Sequence, residues 1–469
     1  MGKIHAQKLS KMKSIFAIFQ YFPLLRIFVG KKKYGWSLFT LLYAANGKNK
    51  KIRGENFSMT YDELFQKALS QAFLLQQTYQ IRPKEKIILI GNNSQSWLVH
   101  LIAFSGLSVE LIFINPKMKA AYIQQQLKQI SNCKIFIDNE SQEILQLENV
   151  ILLPSIQAPN PLPEHFLKEL KQSKSKIVNL SSGTKGKIKN EKRSLAIMPF
   201  LRPYFQIITK LKIHQNDDVL ISIPGAHGYG LAALFLALIT SRNIYLSSTM
   251  EDCKNTLLQG EIDCWVCIPD QLEAFLPAIQ GGKIKLKKII SGADILNKEM
   301  VEILLKKEIA IYNLYGTTET GSICIATPSQ LKIHADTLGK ALSGVNFQLR
   351  PEVSGKNSLW VKTQWSANER RANYIFTGDY IQINKAGFWF HEGRADEQFN
   401  RSGVLSSHQE IEQLLAEHFP SLSFNIMITK NQIKLQSLSR KDLEEKKLIE
   451  NSINKIFPKH LRPDEIIWQ

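Results

Sequence analysis

From Lys86 to about residue 250 the chain alternates short apolar runs with helical patterns, and this alternation restricts the fold more than any other feature. KIILIG (Lys86 to Gly91) reads as a strand, and WLVHLIAFSGLSVELIFINP as helix, turn and a second strand ending at Pro116. CKIFID, VILLP, KIVNL, DVLISIP and NIYLSS continue the series, separated by patterns such as AAYIQQQLKQI. Strands that alternate with helices belong to parallel sheets covered on their faces by helices. The expected class is therefore α/β, with a large N-terminal domain of parallel or mixed sheets; the strand order is left open. Upstream, Thr60-Tyr61-Asp62-Glu63 has the capping-box pattern and opens the periodic run LFQKALSQAFLLQQ, so a surface helix starts there.

From Gly339 to Phe399 the strand-like runs shorten (NFQLRPE, SLWVKT, YIQINKAGFWF) and turn residues increase, which predicts a small antiparallel barrel or sheet. After Gly393 come a helix (HQEIEQLLAEHF), two strands (FNIMIT, QIKLQSL) and a second helix (DLEEKKLIENSINKIF), a compact, mobile α+β unit. The boundaries follow: an N-terminal segment at 1–36, a body at 37–392 and a small C-terminal lid at 393–469. With 469 residues, 44% of them apolar, the chain can fill a large core and a smaller second one.

Sixty Lys and Arg against 41 Asp and Glu leave a formal charge of +19, which favours anionic partners. Nucleic acid is set aside, because the lysines are dispersed and no nucleic-acid-binding signature accompanies them. Five irregularly spaced cysteines do not describe a disulfide framework, which points to a reducing cytoplasmic setting. Cys264 and Cys267 form a CxxC, but in the apolar run CWVC they read as a buried strand whose residues three apart face opposite sides. Near the N-terminus, SIFAIFQYFPLLRIFVG is too short and too broken to span a bilayer, and basic residues flank it. Two readings stand: a peripheral helix at the inner face of an anionic membrane, or an amphipathic arm packed on the body.

The chemistry gathers in separate segments. SSGTKGKIK follows the strand KIVNL; Gly183 and Gly186 permit tight turning, Ser181, Ser182 and Thr184 add hydroxyls, and Lys185, Lys187 and Lys189 add charge. Such a loop can cradle a polyphosphate. IPGAHGYGL carries His227 between glycines, and ISGADIL carries Gly292, Ala293 and Asp294. YGTTE reads as a loop at a strand terminus, where open α/β sheets place ligands: Tyr315, followed by Gly316, offers a face for adenine, Thr318 offers a hydroxyl, and Glu319 suits Mg²⁺. Asp379 in TGD suits ribose hydroxyls, and Arg394 in GRAD supplies a cation for the same nucleotide.

In order and spacing these segments resemble the adenylate-forming superfamily of acyl-CoA synthetases, luciferases and peptide-synthetase adenylation domains. The resemblance runs from about residue 37 to the C-terminus. Ser181, Ser182, Gly183, Thr184, Gly186 and Lys189 match the phosphate loop, with Lys185, Ile188 and Asn190 departing from it. Pro224, His227 and Gly230 match the segment that borders the acyl channel, and GRADEQFNRSGVLSSHQEIE matches the hinge, with Asp396 at the pivot and Gly403 on the loop that serves the thioester step. The resemblance implies ATP-dependent activation of a carboxylic acid to an acyl-adenylate and transfer to a pantetheine thiol. ATP, Mg²⁺ on Glu319 and Thr184, and coenzyme A or a carrier-protein phosphopantetheine would be the partners. Catalysis would fall to Thr318, Glu319, Lys189 and His227, and a fatty acid is the expected substrate. The alternatives are activation of an aryl or amino acid, transfer to an acyl carrier protein, or a nucleotide- or acyl-binding pseudoenzyme. Gln469 ends the sequence before the family's final lysine motif, which singles out adenylation as the step expected to differ.

Overall fold

The computed structural model describes residues 26–45, 50–118, 120–158, 161–182, 188–195, 198–213, 217–351, 356–367 and 370–394, and segments between 399 and 468. Two large sheets organise the body. The first has six strands, in the order Ile151–Leu152, Cys133–Ile137, Lys86–Ile90, Glu110–Ile114, Lys176–Ser182 and Ile188–Ser194. All its pairings are parallel except the last. The second has thirteen strands. Its centre is parallel: Ala310–Thr317, Lys288–Gly292, Cys264–Cys267, Asp218–Ile221, Asn243–Leu246 and Lys51–Gly54 lie side by side. Phe57–Thr60 adds an antiparallel edge at one end.

At the other end six antiparallel strands continue the same sheet, from Gly321–Ala326 through Thr337–Ala341, Trp389–Arg394, Ile375–Ile383 and Asn357–Lys362 to Asn346–Pro351. The small antiparallel element expected after Gly339 is thus a wing of the main sheet, with its own core around Ile323, Leu359, Val361, Ile381 and Trp389.

Side-chain alternation along the strands stacks the layers. Ile87 and Leu89 face a shared core with Val219, Ile221, Ile244 and Leu246 of the second sheet, and Trp97, Leu101 and Phe104 from the helix Gln95–Ser105 fill the space between. Ile88 and Ile90 point the other way, into a cluster with Ile112, Ile114 and Ile123. The outer face of the second sheet buries Leu220, Trp265, Ile289 and Ile311 under the helices Pro269–Gln280 and Lys298–Lys306. Burial on both faces is why these strands read as continuous apolar runs. Cys264 joins the inner core and Cys267 the outer one, so the CxxC sulfurs do face opposite sides. Burial pushes the Cys264 thiol up to about 12 and raises the Cys267 thiol well above its ordinary value.

The capping box forms as read: Glu63 N donates to Thr60 Oγ1 at 3.1 Å and Thr60 N donates to Glu63 Oε2 at 2.6 Å, opening the helix Tyr61–Tyr79. Residues 26–34 are helical, and Ile27 is fully buried against Ala44 and Ile239 while Phe28 and Val29 stay exposed. That part of the N-terminal segment therefore packs on the body; residues 1–25, which carry most of the aromatic and basic pattern, lie outside the described residues. No described helix is long and apolar enough to cross a membrane. In the C-terminal region Ile433, Leu435, Ile453, Phe457 and Leu461 make a separate small core. The strands Phe424–Thr429 and Gln432–Ser437 and the helix Leu443–Ile456 match expectation, and Glu465–Ile467 adds a third strand that the sequence pattern did not suggest.

Candidate functional site

The parallel strands of both sheets deliver the chemistry-bearing segments at their carboxyl ends, where the loops are free to carry function. Tyr315 was expected in a loop, but the strand Ala310–Thr317 runs through it, with a bulge between Tyr315 and Gly316, and turns back into Gly321–Ala326. Gly316 is required there, since a Cβ would lie 2.2 Å from the Gly321 carbonyl oxygen. The tight pairing holds the turn Thr318–Thr320 at the sheet edge; within it Thr317 and Thr320 exchange backbone-to-hydroxyl bonds of 3.2 Å.

Tyr315 aims its hydroxyl at Asp379 on the strand Ile375–Ile383, donating to Oδ2 at 2.5 Å. Asp379 is 3% exposed, so its carboxylate must be satisfied by protein or ligand. Oδ1 faces Arg394 Nη1 and His391 Nε2, each at 3.3 Å. Gly393 N donates to His391 Nδ1, so the neutral ring carries its proton on Nε2 and presents it to Asp379. Burial first, and the neighbouring Asp379 second, hold the Tyr315 phenol well above its ordinary value, so it remains a donor. Tyr315 as a residue is partly exposed. The cluster therefore offers an aromatic face beside a buried carboxylate whose Oδ1 bonds are long.

Thr318 and Glu319 are tied to the other sheet. Arg193, on the strand Ile188–Ser194, donates through Nη2 to the Thr318 carbonyl at 2.5 Å and to the Glu319 carbonyl at 3.2 Å. Ala367 N also donates to the Glu319 carbonyl, at 2.9 Å. Arg193 lies on the return arm of the hairpin whose outgoing strand carries Ser181 and Ser182, with Ser181 opposite Lys189. One guanidinium thus bridges the candidate phosphate hairpin and the Thr318–Glu319 turn. Residues 183–187, with Gly183, Thr184 and Gly186, lie outside the described residues, as do the side chains of Ser181, Ser182 and Lys189.

His227 caps the helix Gly228–Thr240 with its backbone. It presents an exposed edge, yet the protein around it lowers its imidazole below the ordinary value through desolvation. The preceding loop is held by Asn93, which accepts from Gly225 N at 2.8 Å and donates to the Ser247 carbonyl at 2.9 Å. A Cβ on Gly225 would meet the Trp97 ring at 2.2 Å, so the loop closes flush on the first sheet's helix. Two residues after His227, Tyr229 donates to the Ile290 carbonyl at 3.2 Å, placing this loop beside Gly292. Ala293 adopts φ +70°, a backbone turn that leaves Ala293 and Asp294 exposed.

Of the residues expected at a site, the structure joins Tyr315, Asp379 and Arg394 directly, places Gly316 at the strand bulge beside them and Thr318 and Glu319 on the adjoining turn. His227 and the Gly292–Asp294 segment form a neighbouring pair of loops. Asp396 and Gly403 lie outside the described residues. Two residues escaped the sequence reading: His391, whose signal was its place three positions before Arg394, and Arg193, which carried none. Among the described residues no group of three or more His, Cys, Asp or Glu converges as a metal cluster.

The sequence model for AMP-binding enzymes matches residues 43–358, more than half of the chain. The chain belongs to the AMP-binding enzyme family. The 2-succinylbenzoate–CoA ligase of Lactococcus lactis subsp. lactis is 22% identical over 403 residues, spanning 82% of this chain and 86% of that protein. Among solved structures, the o-succinylbenzoate CoA synthetase of Bacillus subtilis superposes with a TM-score of 0.65 at 18% identity, covering 90% of this chain and 92% of the other. The amide bond synthetase of Marinactinospora thermotolerans superposes with a TM-score of 0.67 at 15% identity, covering 92% and 94%. At these identities the structural matches establish a shared α/β fold with a large N-terminal domain and a small C-terminal one.

Proposed function

We propose that this AMP-binding enzyme is an AMP-forming ligase that activates an aromatic carboxylic acid of the o-succinylbenzoate kind and passes it to the thiol of coenzyme A. The observation that carries the reading is the Tyr315–Asp379–Arg394 cluster set beside Thr318 and Glu319. Support for the acid comes from the names of the Lactococcus lactis and Bacillus subtilis relatives, both of which denote o-succinylbenzoate. The fatty acid expected from the N-terminal segment finds no support in these relatives and is set aside, and the body packing of Ile27 removes part of its basis.

In this reading the ring face of Tyr315 takes adenine and the Asp379 carboxylate accepts from the two ribose hydroxyls, with Arg394 close by to donate to the same nucleotide. The Gly292–Asp294 backbone borders the base. Ser181, Ser182, Gly183, Thr184, Gly186 and Lys189 receive the polyphosphate, and the Thr318 hydroxyl orients the α-phosphate for in-line attack by the carboxylate. Catalysis of such a step is chiefly positioning and charge stabilisation. Glu319, with Thr184, offers the oxygen ligands that Mg²⁺ prefers, and the ion would neutralise charge on the leaving pyrophosphate. Neutral His227 borders the acyl substrate. Residues 37–392 form the nucleotide-binding body, and 393–469 a lid that pivots at Asp396 to bring Gly403 toward the thiol. The reducing-compartment composition suits a cytoplasmic enzyme.

The test is pyrophosphate exchange with a panel of carboxylates, followed by coenzyme A consumption with the acid that responds best. Exchange dependent on an aryl acid, with thioester formed, is the expected result. Absence of exchange with every acid, alongside tight ATP or AMP binding, would leave a nucleotide-binding pseudoenzyme. Exchange without coenzyme A consumption, rescued by a carrier protein, would move the acceptor.

A further inference from the structure

At the opposite edge of the large sheet, where its parallel strands begin, lies a cavity of about 680 Å³. Lys210, Lys212, Lys287, Lys288 and Lys332 line it, against only two carboxylates, Asp217 and Asp263. Both acids are already engaged: Lys288 Nζ lies 3.0 Å from Asp217 Oδ2, and Lys287 Nζ lies 2.7 Å from Asp263 Oδ1. Asp218, the next acid along this edge, is paired with Arg242. Lys210, Lys212 and Lys332 have no carboxylate partner among the described residues, so the cavity holds an excess of positive charge. Such a pocket concentrates field and draws anions.

We infer that this cavity is a second anion site, distinct from the nucleotide-facing cluster, that takes a small phosphate-bearing molecule. Ala310 lines the cavity, whereas Tyr315 to Thr317, farther along the same strand, belong to the candidate catalytic site. At the rise of an extended strand Ala310 lies roughly 20 Å from Tyr315–Thr317, and Tyr312, the other lining residue of this strand, about 10 Å from Tyr315. The floor of the cavity is built rather than incidental. Lys288 is 9% exposed and spends two donors, on Asp217 and on the Lys212 carbonyl at 2.7 Å, which leaves its ammonium a third N–H. Thr209, Tyr312 and Ser329 also line it.

The choice of phosphate follows from the cations. Every one is lysine and none is arginine. Planar carboxylates are best gripped by the guanidinium fork, whereas compact ammonium charges with rotatable donors suit a tetrahedral anion approached from several sides. The helix Leu201–Leu211, the strand beginning at Lys288 and the short helix Pro328–Leu331 each contribute to, or lie beside, the lining, so a bound anion would link elements distant along the chain.

The experiment uses the full chain with AMP present to occupy the nucleotide site, and inorganic phosphate as the probe, measured by equilibrium dialysis against chloride at matched ionic strength. Saturable phosphate binding is expected in the wild type. In the Lys210→Gln/Lys332→Gln double variant, which changes two side chains with no carboxylate partner among the described residues, phosphate affinity should fall about ten-fold or more while AMP affinity holds. Lys210→Arg/Lys332→Arg, which keeps the charge, should retain most of the binding. Undiminished phosphate affinity in the Gln variant, or no saturable binding in the wild type, would overturn the assignment. Neither outcome depends on whether the enzyme activates an acid.

Discussion

Replacing Arg193 with methionine would show whether the two sheets hold the candidate catalytic turn in place. The guanidinium gives one short bond to the Thr318 carbonyl and a longer one to the Glu319 carbonyl, and the latter keeps Ala367 N when Arg193 is gone. Of these two bonds, the one to Thr318 is lost outright. A hydrogen bond to a charged group contributes about 1.5–3 kcal/mol. Thr318 is partly exposed, so water can re-solvate its carbonyl, and the cost in global stability should stay below about 1 kcal/mol. The larger effect belongs to positioning. If the bond serves to hold the Thr318 hydroxyl and Glu319 against the phosphate hairpin, its loss lowers kcat/KM for ATP by about 10- to 150-fold, since 1.36 kcal/mol is a factor of ten. The loss should come with a raised Mg²⁺ requirement. Arg193→Lys, which retains the charge but not the fork, should recover part of it. The assay is pyrophosphate exchange across ATP and Mg²⁺ concentrations, with urea unfolding as the control. An Arg193→Met enzyme within two-fold of wild type in both parameters, about 0.4 kcal/mol, would refute the coupling.

Two further outcomes follow from the site and the core. Asp379→Asn should raise KM for ATP by about ten- to a hundred-fold, because a buried charged acceptor is lost, while Tyr315→Phe should cost only about 0.5–1.5 kcal/mol of binding; equal effects in exchange assays would contradict the arrangement. Away from the site, burial holds the His100 imidazole down at about 4, against an ordinary 6.5, and Gln71 and the Ser96 carbonyl satisfy its two nitrogens. The folded state therefore binds fewer protons than the unfolded one below pH 6.5. The stability contribution is complete above that value and is lost as pH falls toward about 4, a decline of order 3 kcal/mol that His100→Gln should flatten in urea titrations.

The sequence by itself determined the class of fold and the segments that carry the candidate site residues. Strands buried on both faces must be apolar throughout, and period-two geometry put Cys264 and Cys267 on opposite faces whatever the strand order, so both readings needed only local rules. The same holds for the Thr60–Glu63 cap, whose bonds span three residues. Tertiary structure alone decided the rest, because each such contact joins residues whose separation along the chain leaves no periodic trace. Arg193 reaches Thr318 across 125 positions, from one sheet to the other. Tyr315 and Asp379 meet across 64 positions because an antiparallel wing folds back along the main sheet. His391 joins them through the pleat of a strand whose partner the sequence did not reveal. The lysine cavity collects side chains from helices and several strand starts, and only the fold brings those dispersed charges to one edge.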